Sequence, residues 1–258
     1  MMNRRVFLFS TAAAAATSGV KVTTVYKSPG PAPNGLQATA DGLWVLDQKE
    51  NVAYLIAYAD GKVLRRLETD SKAGSGITFD GEAIWIASTY SREIIRADAK
   101  TGKTIAKYPS PGAGVVSWKP EEARRSPLSP PPPKSATPAP SGPRQATGAH
   151  GLEWRDGKLY ISNPPSQKIY RVNPKTFEVE FEFATAGNRP HGLGWDGDYL
   201  WCADSNLNGF HKHDPKTGKI HDSILLSDAD PQPHGMTIWK GEMWYCDEAG
   251  VICKFRLR

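Results

Sequence analysis

Cysteine is scarce in this chain. Cys202, Cys246 and Cys253 are the three cysteines among 258 residues, and no two are spaced Cys-x-x-Cys. A thiolate zinc site is therefore unsupported. Two readings of the thiols stay open: three buried apolar cysteines, or one disulfide with a thiol left over. No apolar run is long enough for a membrane span. A Gly-rich phosphate loop, a Gly-x-Ser-x-Gly nucleophile and carboxylates paired at a motif spacing are all missing, so nothing supports a covalent nucleophile. Basic charge is missing from the body of the protein. The net charge is +5, but Arg4, Arg5 and the basic excess between Lys119 and Arg144 account for all of it. A neutral body carries no basic stripe and argues against nucleic acid as a partner.

What the chain does have is turns and aromatics. It contains 24 Gly, 21 Pro, eight Trp, nine Tyr and eight Phe, with 39% hydrophobic residues. That mixture suits a β-rich protein with one large core rather than a helical bundle. The first nineteen residues, MMNRRVFLFSTAAAAATSG, join a twin arginine to a short apolar stretch and small residues. They read as an export signal over residues 1–19, of the twin-arginine type or an ordinary secretory one. Either route implies a periplasmic or secreted protein.

The rest, residues 20–258, reads as one domain built from five copies of one sentence. Copy four shows it best: PHGLGWDGDYLWCADSNLNGFHKHDPKTGKIHDSIL, from Pro190. The others start at Pro33, Gly74, Ala149 and Pro233. Corresponding residues recur every 41 to 43 positions, as in His150, His191 and His234. Each copy offers an X-Gly-apolar strand, a tight turn, and an alternating strand centred on Trp44, Trp85, Tyr160, Trp201 or Trp244. A third strand and a fourth after a DxKTG-type turn complete the unit. Four strands per repeat of about 40 residues predict an all-β fold, a five-bladed β-propeller of four-stranded blades. Copy five supplies only three strands. The unassigned run Val20 to Lys27 is predicted to pair with it and close the ring.

One stretch breaks the rhythm. Residues 109–148 form an insert in which eight of the seventeen residues from Pro127 to Pro143 are proline. Such a segment builds no core and reads as disordered. It is either a tolerated loop insertion or a cover for the propeller.

Propeller geometry gives these positions a place. The residue opening each innermost strand joins a ring around the channel mouth: Asn34, Ser75, His150, His191 and His234. Three adjacent imidazoles facing one axis suit a divalent metal ion of unread identity, with positions left for water or substrate. A water-filled polar channel is the alternative. The second strands end on the same face, so Asp204 and Asp247 are candidates for catalytic base or ligand orienter. Asn34, Ser75 and Arg189 are candidates for substrate binding, the arginine for an anionic group; Arg144 lies near the same mouth. His211 and His213 alternate on an outer strand and read as a surface pair, with His221 exposed.

The repeats GLGWDGDYLWCAD and HDPKTGKI resemble the YVTN/NHL-type propeller superfamily over most of the chain outside the leader and insert. Within it they are similar to virginiamycin B lyases, gluconolactonase/regucalcin proteins and plant-type glutamine cyclotransferases. The first have seven blades and the second six, with a metal held by carboxylates and Asn. The third share five short blades, but carry an acidic residue where Ser75 stands here. The resemblance implies a propeller and an enzyme. The expectation is a monomeric, exported, metal-dependent lyase or lactonase-like hydrolase acting on a small molecule at the channel mouth. The competing expectation is a non-catalytic periplasmic propeller that binds a protein or peptide.

Overall fold

The computed structural model describes residues 17–130 and 144–257. Most of the leader and the proline-richest part of the insert lie outside them. The described chain is all-β, with five sheets arranged as a five-bladed propeller. Blade one runs from its inner strand Pro33–Thr39 through Gly42–Asp47 and Val52–Ile56 to Val63–Glu68. Blade two uses Gly74–Phe79, Ala83–Ser88, Glu93–Asp98 and Thr104–Pro109; blade three uses Gly151–Arg155, Lys158–Asn163, Lys168–Val172 and Val179–Ala184. Blade four uses Pro190–Asp196, Tyr199–Asp204, Gly209–His213 and Ile220–Leu225, with Thr17–Ser18 added in parallel outside. Blade five has Met236–Trp239, Glu242–Asp247 and Val251–Arg256. Its outermost strand is Thr23–Lys27, antiparallel to Val251–Arg256. The ring closes as the sequence predicts, which leaves blade five no unpaired outer edge. Among the described residues no helix is long and apolar enough to cross a membrane.

Alternation builds the core. Each second strand is buried on both faces, because blades pack against it from either side. Trp44, Trp85, Tyr160, Trp201 and Trp244 are all buried between blades. At full burial each aromatic contributes about 3 kcal/mol or more. They serve the fold, not a ligand.

The neck of the channel is set by glycine. Gly35, Gly76, Gly151, Gly192 and Gly235 each follow a ring residue. A Cβ on Gly151 would stand 1.9 Å from the His191 carbonyl oxygen, and one on Gly192 would stand 2.0 Å from the Met236 nitrogen. The same holds around the whole circle, each glycine meeting the backbone of the next blade. Five inner strands approach this closely only without side chains at that position.

Two expectations change. His211 and His213 are buried, not a surface pair. They occupy the inter-blade face where blade one has Tyr54 and Ile56 and blade three has Tyr170 and Val172. All three cysteines are free and buried. Cys246 pairs in register with Ile252 and Cys253 with Tyr245, so the two thiols lie on opposite faces of blade five.

Candidate functional site

A local irregularity aims the ring residues. The ladder between first and second strands slips at Pro33/Gly35, Gly74/Gly76 and Pro190/Leu193. The slip removes Asn34, Ser75 and His191 from regular pairing and turns them toward the axis. His150 and His234 precede their strands and reach the same level.

The three histidines meet. The His150 and His191 rings stand edge to face with centroids 4.7 Å apart, and His191 and His234 repeat the arrangement at 4.6 Å. His150 Nδ1 is 3.0 Å from His191 Nε2. Two ring nitrogens this close are near the spacing of neighbouring ligands on one ion with bonds of about 2.0–2.1 Å. His191 and His234 are buried. His150 is partly accessible, but its Nε2 is covered and has no hydrogen-bond partner. Both His234 ring nitrogens lack a well-aligned hydrogen bond, although Nε2 lies 3.3 Å from Glu248 Oε2. Burial pushes His150 down to about 3 and His191 well below the usual imidazole range. These rings are neutral and carry lone pairs, which is the state a metal ligand needs.

Among the described residues no three His, Cys, Asp or Glu side chains already surround one point as ligands. The reason is local. His150 spends Nδ1 on His191, and collecting all three nitrogens on one centre requires its ring to give up that bond.

The carboxylate at the site is Glu248. The close approach of His234 leads the causes that hold it down to about 2, with Arg189 and Arg125 adding charge. The sequence reading missed it by one residue. Asp204 and Asp247, the expected bases, have another task. Asp204 accepts hydrogen bonds from the backbone N–H of Arg189, Asn206 and Leu207 at 3.0, 3.0 and 2.9 Å. Asp247 accepts from Gln232, Ala249 and the Ser126 hydroxyl. Asp47 does the same in blade one. These carboxylates tie the loop before each inner strand to the turn after the second strand, and none bonds an imidazole. The next residue points to the mouth instead. In blades one, two, four and five that residue is Gln48, Thr89, Ser205 or Glu248, and each touches a ring residue. Strand alternation puts successive side chains on opposite faces, so a shift of one position changes the whole set.

The other expected residues are placed as follows. Ser75 is fully buried and bonded to Gln48 and Thr89, which leaves it little for a substrate. Asn34 keeps a covered Oδ1 with no partner. Arg189 donates from Nη1 to the Arg124 carbonyl at 3.0 Å. Arg144 donates to the Trp118 carbonyl and lies in the insert.

The insert itself is not featureless where it is described. Its flanks cross the top of the propeller. Arg124 N donates to Asn206 at 3.0 Å, and the Arg124 carbonyl accepts from both Arg189 and Gln232. Ser126 reaches Asp247 in blade five, and Asn163 of blade three donates to Pro111. A strap of described residues thus lies over blades three to five, the half of the ring that carries the histidines. One tier lower, about 10 Å along the strands, Gln37, Thr78, Glu153, Gly194 and Thr237 form a second ring. Thr78 donates to Gln37 at 2.6 Å, and Glu153 is buried and pushed up to about 8 by desolvation. This tier lies beneath the histidines, on the side of the channel away from the strap.

No protein-family model and no curated protein sequence matches the chain. Solved structures do. A glutaminyl cyclase from Myxococcus xanthus aligns at 11% identity over 95% of this chain and 98% of its own, with a TM-score of 0.66. A selenomethionine-substituted virginiamycin B lyase from Staphylococcus aureus aligns at 18% identity over 93% and 100%, TM-score 0.53. A catalytically inactive variant of the same enzyme, crystallised with quinupristin, aligns at 20% identity over 90% and 68%, TM-score 0.51. Both proteins are β-propellers. At these identities the likeness speaks for the fold alone.

Proposed function

We propose that the channel mouth is a divalent-metal site of an enzyme that acts on a small molecule. His150, His191 and His234 would hold the ion, with Glu248 beside them. The observation that carries this reading is the meeting of three imidazoles from adjacent blades, with His150 Nε2 and both His234 nitrogens covered and without a well-aligned hydrogen bond. Leaving such atoms unsatisfied costs about 1–3 kcal/mol each, so a ligand for them is favoured. When bound, the ion supplies Lewis acidity for polarising a carbonyl or activating water.

The chain's own groups suit a lyase or a lactonase-like hydrolase. Arg189 anchors an anionic group of the substrate. Asn34 Oδ1 accepts a hydrogen bond from a substrate donor. Glu248, held ionised, orients His234 and balances the positive charge of the site. The strap excludes water and limits the site to small ligands. The enzymatic neighbours among propellers are consistent with this reading, and the leader extends it to a periplasmic or secreted protein.

A second reading is a binding propeller without chemistry. The strap counts against a protein or peptide partner: it lies over the face such a partner would use, and so favours a small ligand over a large one. Elemental analysis of purified protein tests the proposal. The wild type is expected to carry close to one equivalent of a transition metal, and His191→Ala to carry background only. Background metal in both, with no uptake from added Zn2+, Mn2+ or Co2+, would sink it.

A further inference from the structure

Ser205 connects two of the three histidines. Its hydroxyl donates to the Pro233 carbonyl at 2.6 Å, and its Oγ lies 3.1 Å from His191 Nδ1. Pro233 immediately precedes His234. Ser205 is fully buried, so water does not compete for either contact. One side chain therefore sets both the tilt of His191 and the height of the loop that carries His234.

The protons follow by elimination. The single Ser205 hydroxyl proton is committed to Pro233, so Oγ only accepts from His191. The Arg189 carbonyl, 3.0 Å from the same Nδ1, also only accepts. Nδ1 of neutral His191 therefore carries the proton, and Nε2 keeps its lone pair. His150 Nδ1, facing that lone pair at 3.0 Å, then carries its own proton. This leaves a lone pair on His150 Nε2, the covered atom with no partner.

The device is repeated once more in the fold. Thr89, at the same place in blade two, lies 2.8 Å from Ser75 Oγ and 3.0 Å from the carbonyl of Ala149, the residue before His150. In both blades a hydroxyl ties its own ring residue to the approach of the next one. Blade three has Pro164 at this place and blade five has Glu248.

We propose that Ser205 is a positioning residue of the metal site. Together with the Arg189 carbonyl it holds His191 as the Nδ1–H tautomer with Nε2 turned to the ion, and it fixes the spacing of His191 and His234. This rests on the metal reading above and goes beyond it by naming the group that orients the ligands.

The test uses the full chain stripped with chelator and titrated with Co2+, followed by visible absorption and calorimetry. Ser205→Ala is expected to weaken Co2+ binding about 10–100-fold, and Ser205→Thr, which keeps the hydroxyl, to bind nearly as the wild type does. Long-range 15N–1H spectra of the metal-free protein are expected to show His191 as Nδ1–H, with a fraction of Nε2–H appearing in Ser205→Ala, where the Arg189 carbonyl is the one acceptor left. Wild-type affinity in Ser205→Ala, or Nε2–H for His191 in the wild type, overturns the proposal. A wild type that binds no Co2+ defeats the metal reading. The tautomer comparison then still decides the positioning role, and an unchanged spectrum in Ser205→Ala rejects it. If Ser205→Ala does not fold, Ser205→Cys, of similar size and weak hydrogen bonding, replaces it.

Discussion

Replacing Gly151 by alanine probes the geometry on which the site depends. The added Cβ would stand 1.9 Å from the His191 carbonyl oxygen and 2.5 Å from Ser162 Oγ. The first obstacle is backbone, held within an inner strand of blade four, and cannot rotate away. An ordinary contact needs about 3.4 Å or more, so blades three and four must separate locally by more than an ångström. Overpacking of this kind costs about 1–3 kcal/mol and occasionally more, and a rigid obstacle places Gly151→Ala at the upper end. For a domain of this size each kcal/mol shifts Tm by about 2–4 °C, so a fall of roughly 6–12 °C is expected. Gly114→Ala is the control. Its Cβ would meet nothing nearer than Pro165 Cβ at 3.7 Å, and the expected change is within about 0.5 kcal/mol. Thermal and urea unfolding followed by tryptophan fluorescence measure both. Because the same clash pushes His150 from His191, Gly151→Ala should also lose bound metal. Equal stability of the two variants would refute the account of the neck.

Other consequences are open to direct measurement. Phe177 has φ +60° where blades one, two and four place Gly61, Gly102 and Gly218 with φ of +72°, +77° and +76°. It stacks on Tyr108 at 4.2 Å. Left-handed strain costs a non-glycine residue about 1–2 kcal/mol, so Phe177→Gly is expected to be about 1 kcal/mol more stable than Phe177→Ala; urea unfolding that ranks Ala above Gly contradicts this. Burial lowers His211 to about 4 and also lowers His213. Above pH 6.5 both are neutral folded or unfolded. Below it the unfolded chain takes up protons that the folded chain refuses, so stability falls as pH drops from 6.5 toward 4. By pH 5 His211 alone accounts for about 2 kcal/mol. Substituting His211→Tyr with His213→Val, the blade-three residues, should flatten the pH 7 to 5 slope, and an unchanged slope would discount these two groups. Removing residues through Lys27 strips the outer strand of blade five together with Val25 and Tyr26, which pack on the core shared with blade one. A Tm lower by more than 10 °C, or aggregated protein, is expected on light scattering and calorimetry; wild-type behaviour would mean that ring closure contributes little.

The fold was legible because a repeat writes the same constraint five times. The X-Gly pair and the central aromatic recur in all five copies, the DxKTG turn in two of them, and the unassigned Val20 to Lys27 run matched the missing strand. The site was legible in part. The ring of opening residues, including all three histidines, follows from strand order. Asp204 and Asp247 accept hydrogen bonds from loop N–H groups, as Asp47 does in blade one, so their recurrence in three of the five blades has an architectural reason. Glu248 and Ser205 differ between blades and carry no repeat signal, and only the alternation of the strand shows that they face the mouth. The buried state of His211 and His213 was missed because histidine replaces Tyr, Ile or Val at positions that the repeats mark as core. The cover reading of the insert stayed one of two alternatives because its sequence looks like linker. Its contacts run through scattered single groups, among them the Arg124 N–H and carbonyl, the Pro111 carbonyl and the Ser126 hydroxyl, and composition does not report these.

The central claim is that three histidines of adjacent blades share one metal ion. Crystals of the full chain grown with Co2+, with anomalous data on both sides of the cobalt edge, test it most directly. A single strong anomalous peak within bonding reach of His150, His191 and His234, about 2.0–2.3 Å from ring nitrogens, is the predicted result. A map with no peak at the channel mouth, and the His150 Nδ1 to His191 Nε2 hydrogen bond intact at full cobalt load, would contradict it.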